Sequence, residues 1–317
     1  MKRRIQFIVN PVSGRRRNTD VVVELVRRLR EDGDDVAIHK TRFTGDARTF
    51  CESIDTGIDV VVAVGGDGTV SEVVHGLSEH PIPIVVLPTG TENLLSQEFG
   101  LRANAQLLYD TINANCRQWI DVGVVNGRRF MIVAGVGFDA EVVHRLVNER
   151  SGHITHLSYF WPLWRTFWQY RFPTLRVIAD GVQVFNGRGL VFIGNISRYA
   201  IGLKILRDAV CDDGQLDLCI YPCRWQGRLL YHAMWTTFQR HVEQDRIVYR
   251  RCRQIVVESD NELPLEVDGD PAGFLPAHFT VMPRRGIFLV PPPRCRRRRW
   301  LGKGSRVQVR RVDLDSS

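Results

Sequence analysis

The chain has 317 residues, enough for about two domains. With 44% hydrophobic and 25% charged residues it falls in the ordinary globular range, which excludes collagenous, disulfide-framework and wholly disordered classes. The net charge of +8 is uneven: residues 294–317 hold nine Lys/Arg and two Asp, so residues 1–293 carry only +1. A whole-surface polyanion binder is not implied, and no nucleic-acid partner is expected. Seven cysteines are scattered without a Cys-x-x-Cys pair, which favours reduced thiols over a zinc ribbon or disulfide scaffold. Met1 to Arg4 is basic like the start of a signal peptide, but Ile5–Val9 is too short an apolar run to complete one. No uncharged apolar stretch of about 18 residues offers a membrane span. The expected location is the cytoplasm, peripheral to a membrane at most.

Residues 4–9 read as a buried strand, followed by a turn at Pro11-Val12-Ser13-Gly14. Val22, Leu25, Val26 and Leu29 recur at helical spacing until Asp32-Gly33. Val36–Ile38 is a second strand, Ala47–Ile54 a helix, Asp59–Val64 an apolar β-branched strand, Ser71–Leu77 a helix and Ile82–Leu87 a strand. This βαβαβ alternation predicts a parallel sheet covered by helices. From about residue 120 short strands follow: Trp119–Val125, Phe130–Val136, Leu175–Ala179, Leu190–Gly194, Gln215–Tyr221, Gln254–Glu258, Leu263–Val267, His278–Met282 and Gly286–Val290. They predict a mainly antiparallel second domain. The expected division is 1–122, an α/β nucleotide-binding domain; 123–290, a β-rich substrate domain; and 291–317, a basic tail after a proline linker.

Gly65-Gly66-Asp67-Gly68-Thr69 stands between a buried strand and a helix. Glycines there let a ligand approach bare backbone, and the helix start offers amides to an anion. Thr69-x-x-Glu72 also fits a capping box. No Walker loop is present. The device recurs at Asn10-Pro11-Val12-Ser13-Gly14 and at Pro88-Thr89-Gly90-Thr91-Glu92-Asn93. Loops at the carboxyl ends of strands line one crevice in an open α/β sheet, so three such loops predict a phosphate site. Arg15-Arg16-Arg17 would add counter-charge, or simply form a solvated helix start. Two acidic segments, Asp212 to Asp217 and Glu266 to Asp270, are plain hairpin turns or carboxylates for magnesium and proton transfer.

These pieces resemble the diacylglycerol kinase catalytic-domain family, which includes sphingosine kinases and bacterial soluble lipid kinases. They occur in family order: Asn10-Pro11-x-Ser13-Gly14; Thr41 ahead of Gly45-Asp46-Ala47; Gly65 to Thr69 with Glu72-Val73; Pro88 to Asn93; Gly135-x-Gly137-Phe138-Asp139-Ala140; Asp212-Asp213-Gly214-x-Leu216-Asp217; and Asp268-Gly269-Asp270. The resemblance implies an N-terminal α/β domain like that of NAD kinases, a β-sandwich-like C-terminal domain and a lipid hydroxyl meeting Mg-ATP between them. It implies nucleotide contacts at Asn10, Ser13, Gly14, Thr41, Gly65, Gly66, Asp67, Gly68, Thr69, Val70, Ser71, Thr91 and Asn93. It places Asp67 in the catalytic centre and the general base on Asp270. It also implies a structural Mg2+ site at Asp213 with carbonyls of Val210 and Gln215. The sequence departs from the family where Leu94 replaces a frequent Asp, and where Asp270 replaces the usual Glu. Alternatives are an NAD kinase-like small-molecule kinase and a catalytically impaired lipid- or nucleotide-binding member.

The expected partner is a lipid, within phospholipid metabolism. The aromatic segment 157–172 is a candidate membrane contact or a helix packed on the second domain, and the basic tail 294–311 a candidate anchor on anionic membrane. Glu141-x-x-His144 and His153-x-x-His156 read as ordinary helix faces rather than metal sites.

Overall fold

The computed structural model describes residues 2–14, 17–148, 167–199, 203–244 and 246–292. Four parallel strands form the first sheet: β1 (Arg4–Val9), β2 (Asp35–Lys40), β3 (Val60–Gly65) and β4 (Ile84–Pro88), in the order β2-β1-β3-β4. All six residues of β3 are buried, as an apolar strand covered on both faces requires. Helices α1 (Arg17–Glu31), α2 (Asp46–Glu52), α3 (Asp67–Gly76), α4 (Leu94–Phe99) and α5 (Ala105–Ala114) supply the crossovers and cover.

The second half comprises β5 (Arg117–Val125), β6 (Arg128–Phe130), β7 (Val133–Val136), α6 (Phe138–Asn148), β8 (Thr174–Ala179) and β9 (Val182–Gly194). It continues with β10 (Leu216–Pro222), α7 (Gln226–Thr237), β11 (Val248–Cys252), β12 (Gln254–Glu258), β13 (Pro264–Val267), β14 (Asp270–Phe274) and β15 (Ala277–Leu289). The long β9 serves two layers. Its first half pairs with β8, and its second half with β10 and β7. Gly189 sits at the changeover, where a Cβ would lie 2.6 Å from the Tyr221 carbonyl oxygen. A second core, including Phe130, Leu175, Val191, Ile193, Leu218, Ile255 and Phe279, fills the space between the layers. The expected fold class, α/β followed by a mainly antiparallel sandwich-like half, is the one observed.

Several elements differ from expectation. Helix α3 begins at Asp67, not Ser71, so part of the glycine-rich run is its first turn. The capping box does not form, because Gly66 is the N-cap and both side chains have other partners. Residues 130–136 divide between β6 and β7, and 278–290 fall largely in one strand, β15. A bulge between Met282 and Gly286 produces the polar interruption that reads as a turn in the sequence.

Strand β15 joins the two halves. It pairs antiparallel with β5 and β12, and parallel with β4 through Phe288 and Ile84. A division at 122/123 falls inside β5. Asp121, in the middle of β5, is fully buried. Its Oδ1 accepts the Arg284 amide of the bulge at 2.8 Å, and its Oδ2 accepts the Gly214 amide at 2.6 Å. One carboxylate thus fixes both the bulge and the 212–214 turn. Asp121→Ala should leave two amides without their acceptor and lower unfolding stability by about 3 kcal/mol, read by urea denaturation; a loss under about 1 kcal/mol would remove this role.

Candidate active site

The carboxyl ends of β1, β2, β3 and β4 lie on one edge of the sheet, and the loops that leave them are tied together. Asn10 Nδ2 donates to Thr69 Oγ1 at 3.0 Å, and the Asn10 amide donates to the Val64 carbonyl. Thr89 Oγ1 donates to Ser13 Oγ at 2.9 Å. The Thr41 amide donates to the Val9 carbonyl, which sets the end of β2 beside Asn10. Glu72 Oε1 accepts the Gly45 amide at 2.9 Å, linking α3 to the start of α2. Asn93 clips its own loop shut by accepting the Gly90 amide and donating to the Gly90 carbonyl.

Gly66 and Gly90 pack backbone to backbone. A Cβ on Gly90 would come within 2.7 Å of the Gly66 Cα, and one on Gly66 within 3.4 Å of the Gly90 Cα. The two phosphate-type loops can therefore touch only without side chains. Val70 is the exception in this group: its side chain is buried in the core, which leaves only its backbone for any ligand.

Asp67 points across to α4. Its Oδ2 accepts the Leu94 amide at 2.9 Å and its Oδ1 the Leu95 amide at 3.1 Å. Burial raises its pKa, and those amides oppose the rise. Leu94 stands where a carboxylate is frequent in the family; its amide holds Asp67 while its side chain packs into the core.

The second half contributes the β13–β14 hairpin. Its two-residue turn, Asp268-Gly269, has φ of 51° and 88°, a primed turn that Asp-Gly readily adopts. Asp268 points inward. Its Oδ1 accepts the amides of Ile132 and Val133, and its Oδ2 that of Met131. Burial nevertheless pushes its pKa up to about 6, and the charge of Asp67 contributes to the rise. The charge of Asp67, in the first half, is thus felt at Asp268 in the second. Asp270 stands apart from this pair, 72% exposed, with its Oδ2 3.4 Å from Arg128. Arg128 in turn lies close enough to His75 of α3 for its charge to add to the burial that lowers that imidazole to about 4. Asp270 thus lies on the solvent-exposed side of the hairpin, beside Arg128.

Behind Asp268 lies a second acid pair. Glu266 is 1% exposed and contacts Asp139 at the start of α6. Glu266 Oε2 accepts the Gly269 amide at 3.0 Å, and Tyr199 donates to Asp139 Oδ2 at 3.3 Å. Burial raises both, Asp139 to about 6 and Glu266 well above its ordinary value. Two adjacent buried carboxyls disfavour each other's ionisation, which adds to the burial that raises both. Gly135 is required beside them, since its Cβ would fall 1.8 Å from Asp139 Oδ2. The sequence contains a cue for Glu266, a charged residue in an otherwise apolar buried strand, but nothing in it reveals the partner 127 positions earlier.

Two family models match the chain: the diacylglycerol kinase catalytic domain over residues 4–125, and the YegS C-terminal NAD kinase beta sandwich-like domain over 132–287. The chain belongs to the diacylglycerol kinase catalytic-domain family. It is 27% identical over 283 residues to a diacylglycerol kinase of Staphylococcus carnosus, covering 88% of this chain and 92% of that one. It is also 27% identical over 288 residues to one of Staphylococcus haemolyticus, covering 90% and 87%. A crystal structure of a diacylglycerol kinase from Bacillus anthracis has a TM-score of 0.69 at 21% identity, over 92% of this chain and 97% of that one, and shares the fold.

Other expected features of this lipid-kinase family member fall as follows. Asp213 Oδ1 accepts the Gln215 amide at 3.0 Å; its Oδ2 is buried without a hydrogen-bond partner, with Arg251 Nη1 3.6 Å away. Among the described residues no group of three or more His, Cys, Asp and Glu is placed to hold a metal. His144 bonds the Leu265 carbonyl oxygen and Glu141 pairs with Arg145, an ordinary helix face. None of the six described cysteines is in a disulfide. No helix among the described residues is long and apolar enough to cross a membrane. Arg15 and Arg16, residues 157–166, His153-x-x-His156 and the 294–311 tail lie outside the described residues.

Gly90→Ala tests the cradle. The added methyl must push the two loops apart, so nucleotide affinity measured by calorimetry should fall at least about tenfold, with the melting temperature lowered by a few degrees. Unchanged affinity would show that the loop contact does not shape the site.

Proposed function

We propose that this kinase-family protein transfers the γ-phosphoryl group of ATP to a lipid hydroxyl, of diacylglycerol or a related lipid. The observation that carries the reading is the backbone-to-backbone cradle of Gly66 and Gly90, tied to the loop of Asn10 and Ser13. In this reading residues 1–122 hold the nucleotide, residues 123–290 hold the lipid, and the work is done in the cytoplasm at a membrane. The glycine cradle fits phosphates, because bare backbone and hydroxyl-bearing loops converge where a side chain would block entry. Bound Mg-ATP supplies the phosphoryl group and a counter-charge for it.

The chain's own residues do the rest. Asn10, Ser13, Gly14, Thr41, Thr69, Ser71, Thr91 and Asn93 orient the nucleotide, with the backbone of residues 65–70. Asp67 serves as a positioning group, tying the glycine-rich turn to the start of α4 through the Leu94 and Leu95 amides. Burial brings the pKa of Asp268 to about 6, closer to a working pH than an ordinary carboxylate, and we assign it as the base that takes the alcohol proton as attack proceeds. Asp270, exposed beside Arg128, is the other carboxylate to test.

The residues expected for magnesium also fit in kind. Asp213 with the carbonyls of Val210 and Gln215 would be an all-oxygen set, and Asp213 Oδ2 is an acceptor lacking a hydrogen-bond partner. An ion there would tie the 210–215 loop to β10 rather than act on the phosphoryl group. Magnesium added without nucleotide should raise the melting temperature by about 2–4 °C, and Asp213→Asn should abolish the rise; equal responses would remove this site.

Transfer of labelled phosphate from ATP to extracted lipid, with NAD as the competing acceptor, decides the substrate class. Asp268→Asn should lower turnover at least about a hundredfold while Asp270→Asn changes it less. A base must be ionised, so the wild-type rate should rise as pH increases through about 6 and be lost below it. Wild-type turnover in folded Asp268→Asn, or loss only in Asp270→Asn, would move the base to Asp270.

A further inference from the structure

Helix α7 is amphipathic the wrong way round. Its buried residues include His232 and Thr236. His232 Nε2 bonds the Pro222 carbonyl oxygen at 3.0 Å, and Thr236 Oγ1 lies 2.9 Å from Tyr221 Oη. Leu229 packs toward the core, but Leu230, Tyr231 and Met234 face outward. Leu230 and Met234 are one turn apart on the same face, and Phe238 continues their line just past the helix end. Of thirteen large apolar side chains exposed among the described residues, five lie within 225–238, with Trp225 at 63% and Phe238 at 67%. Such clustering marks an interaction surface, where scattered exposure would not.

The charge carried by the segment itself has one sign. Residues 224–240 contain Arg224, Arg228 and Arg240 and no Asp or Glu. Arg228 lies over the Tyr231 ring, 4.8 Å from its centroid. The nearby Asp208 and Glu243 are both paired with Arg207. A two-fold contact between copies would set these arginines against themselves, so the face is not self-complementary. Gln226 Nε2 donates to the carbonyl oxygens of Trp168 and Tyr170, which fastens exposed Trp168 to the start of α7. Tyr170 reaches from there toward the acid pair: a Cβ on Gly137 would lie 3.4 Å from its hydroxyl, and the Asp139 charge adds to the burial that raises its pKa.

We propose that the outward face of α7, with Trp225, Leu230, Met234, Phe238 and the adjoining Trp168, docks the protein on an anionic lipid bilayer. Leucine, methionine and phenylalanine would enter the acyl boundary, tryptophan and tyrosine would sit among headgroups, and the three arginines would meet anionic phosphates. The placement rests on the lipid-kinase reading for its purpose, since it brings the sandwich side of the cleft to the lipid, but not for its evidence.

The test is co-sedimentation of the full chain with vesicles of phosphatidylglycerol and phosphatidylcholine, against phosphatidylcholine alone. Wild type should bind the anionic vesicles in a salt-sensitive way. Leu230→Ser/Met234→Ser/Phe238→Ser should bind at least about tenfold more weakly, and Arg224→Glu/Arg228→Glu/Arg240→Glu about a hundredfold more weakly. Both should keep turnover on detergent-dispersed lipid. Hydroxyl-radical footprinting of wild type reads the face itself: vesicles should protect Met234 and Trp225 from oxidation. No vesicle binding, no protection, or dissociation of a dimer by the serine variant with vesicle binding intact would overturn the proposal. If the serine variant fails to fold, the charge-reversed variant and the footprint decide. Vesicle binding is read without turnover, so lack of lipid phosphorylation in every preparation would remove the kinase reading and leave the docking face standing.

Discussion

The β5–β15 pair is the constraint on which the cleft depends. Strand β15 pairs with the antiparallel β12 near one end and the parallel β4 near the other, and β5 runs beside it across the bulge. The two halves are thus joined by hydrogen-bonded backbone rather than by surface contact alone. Asp121 fixes the bulge from within the pair. A shift of one residue here would turn the faces of β15 over. It would also displace the sandwich that carries Asp268 relative to the sheet that carries Asp67. A site assembled from two halves needs such a stiff joint, because a flexible linker would not hold one half in register with the other.

Within the first half, a second constraint acts at shorter range. The loops after β3 and β4 meet at Gly66 and Gly90, while Asn10, Ser13, Thr69 and Thr89 stitch their flanks. Asn10, Ser13, Thr69 and Thr89 each already have a protein partner. Thr69 and Glu72 show what this means. They fit a capping box locally, yet Thr69 is taken by Asn10 and Glu72 by Gly45, 59 and 27 residues away in sequence. Tertiary stitching wins because Gly66 supplies the helix start without a side chain, freeing both residues.

Much of this was legible in the sequence because it is local. The all-apolar β3, the glycine turns after strands and the Asp-Gly hairpin have signatures within a few residues. The fold class follows from their order. What was not legible depends on distant partners. Asp268 and Asp270 are two residues apart and equally acidic, and only the hairpin turn decides that one faces the amides of residues 131–133 and the other faces Arg128 and solvent. Asp139 and Glu266 are likewise ordinary in sequence and unusual only in contact. The β15 bulge misled for the opposite reason: Pro283, Arg284 and Arg285 resemble a turn, and their backbone does leave the ladder, but β5 continues beside them and carries the strand through.

The charge of the chain also changes meaning when located in space. The body of residues 1–293 sums to +1, which suggests indifference to charged surfaces. Its charges are instead segregated. Asp67, Asp268, Glu266 and Asp139 run through the interior of the cleft region, each with its pKa raised by burial. The arginines of 224–240 stand around α7 without acids, and Tyr170 spans between the two regions. A field falls off within about a Debye length of 8 Å in physiological salt, so an approaching surface senses the nearest patch and not the sum. Anionic lipid would be drawn to the arginine side, and the acid interior would favour the cation that accompanies a nucleotide. A near-neutral total is therefore compatible with two opposite preferences, because each patch acts on what lies nearest to it.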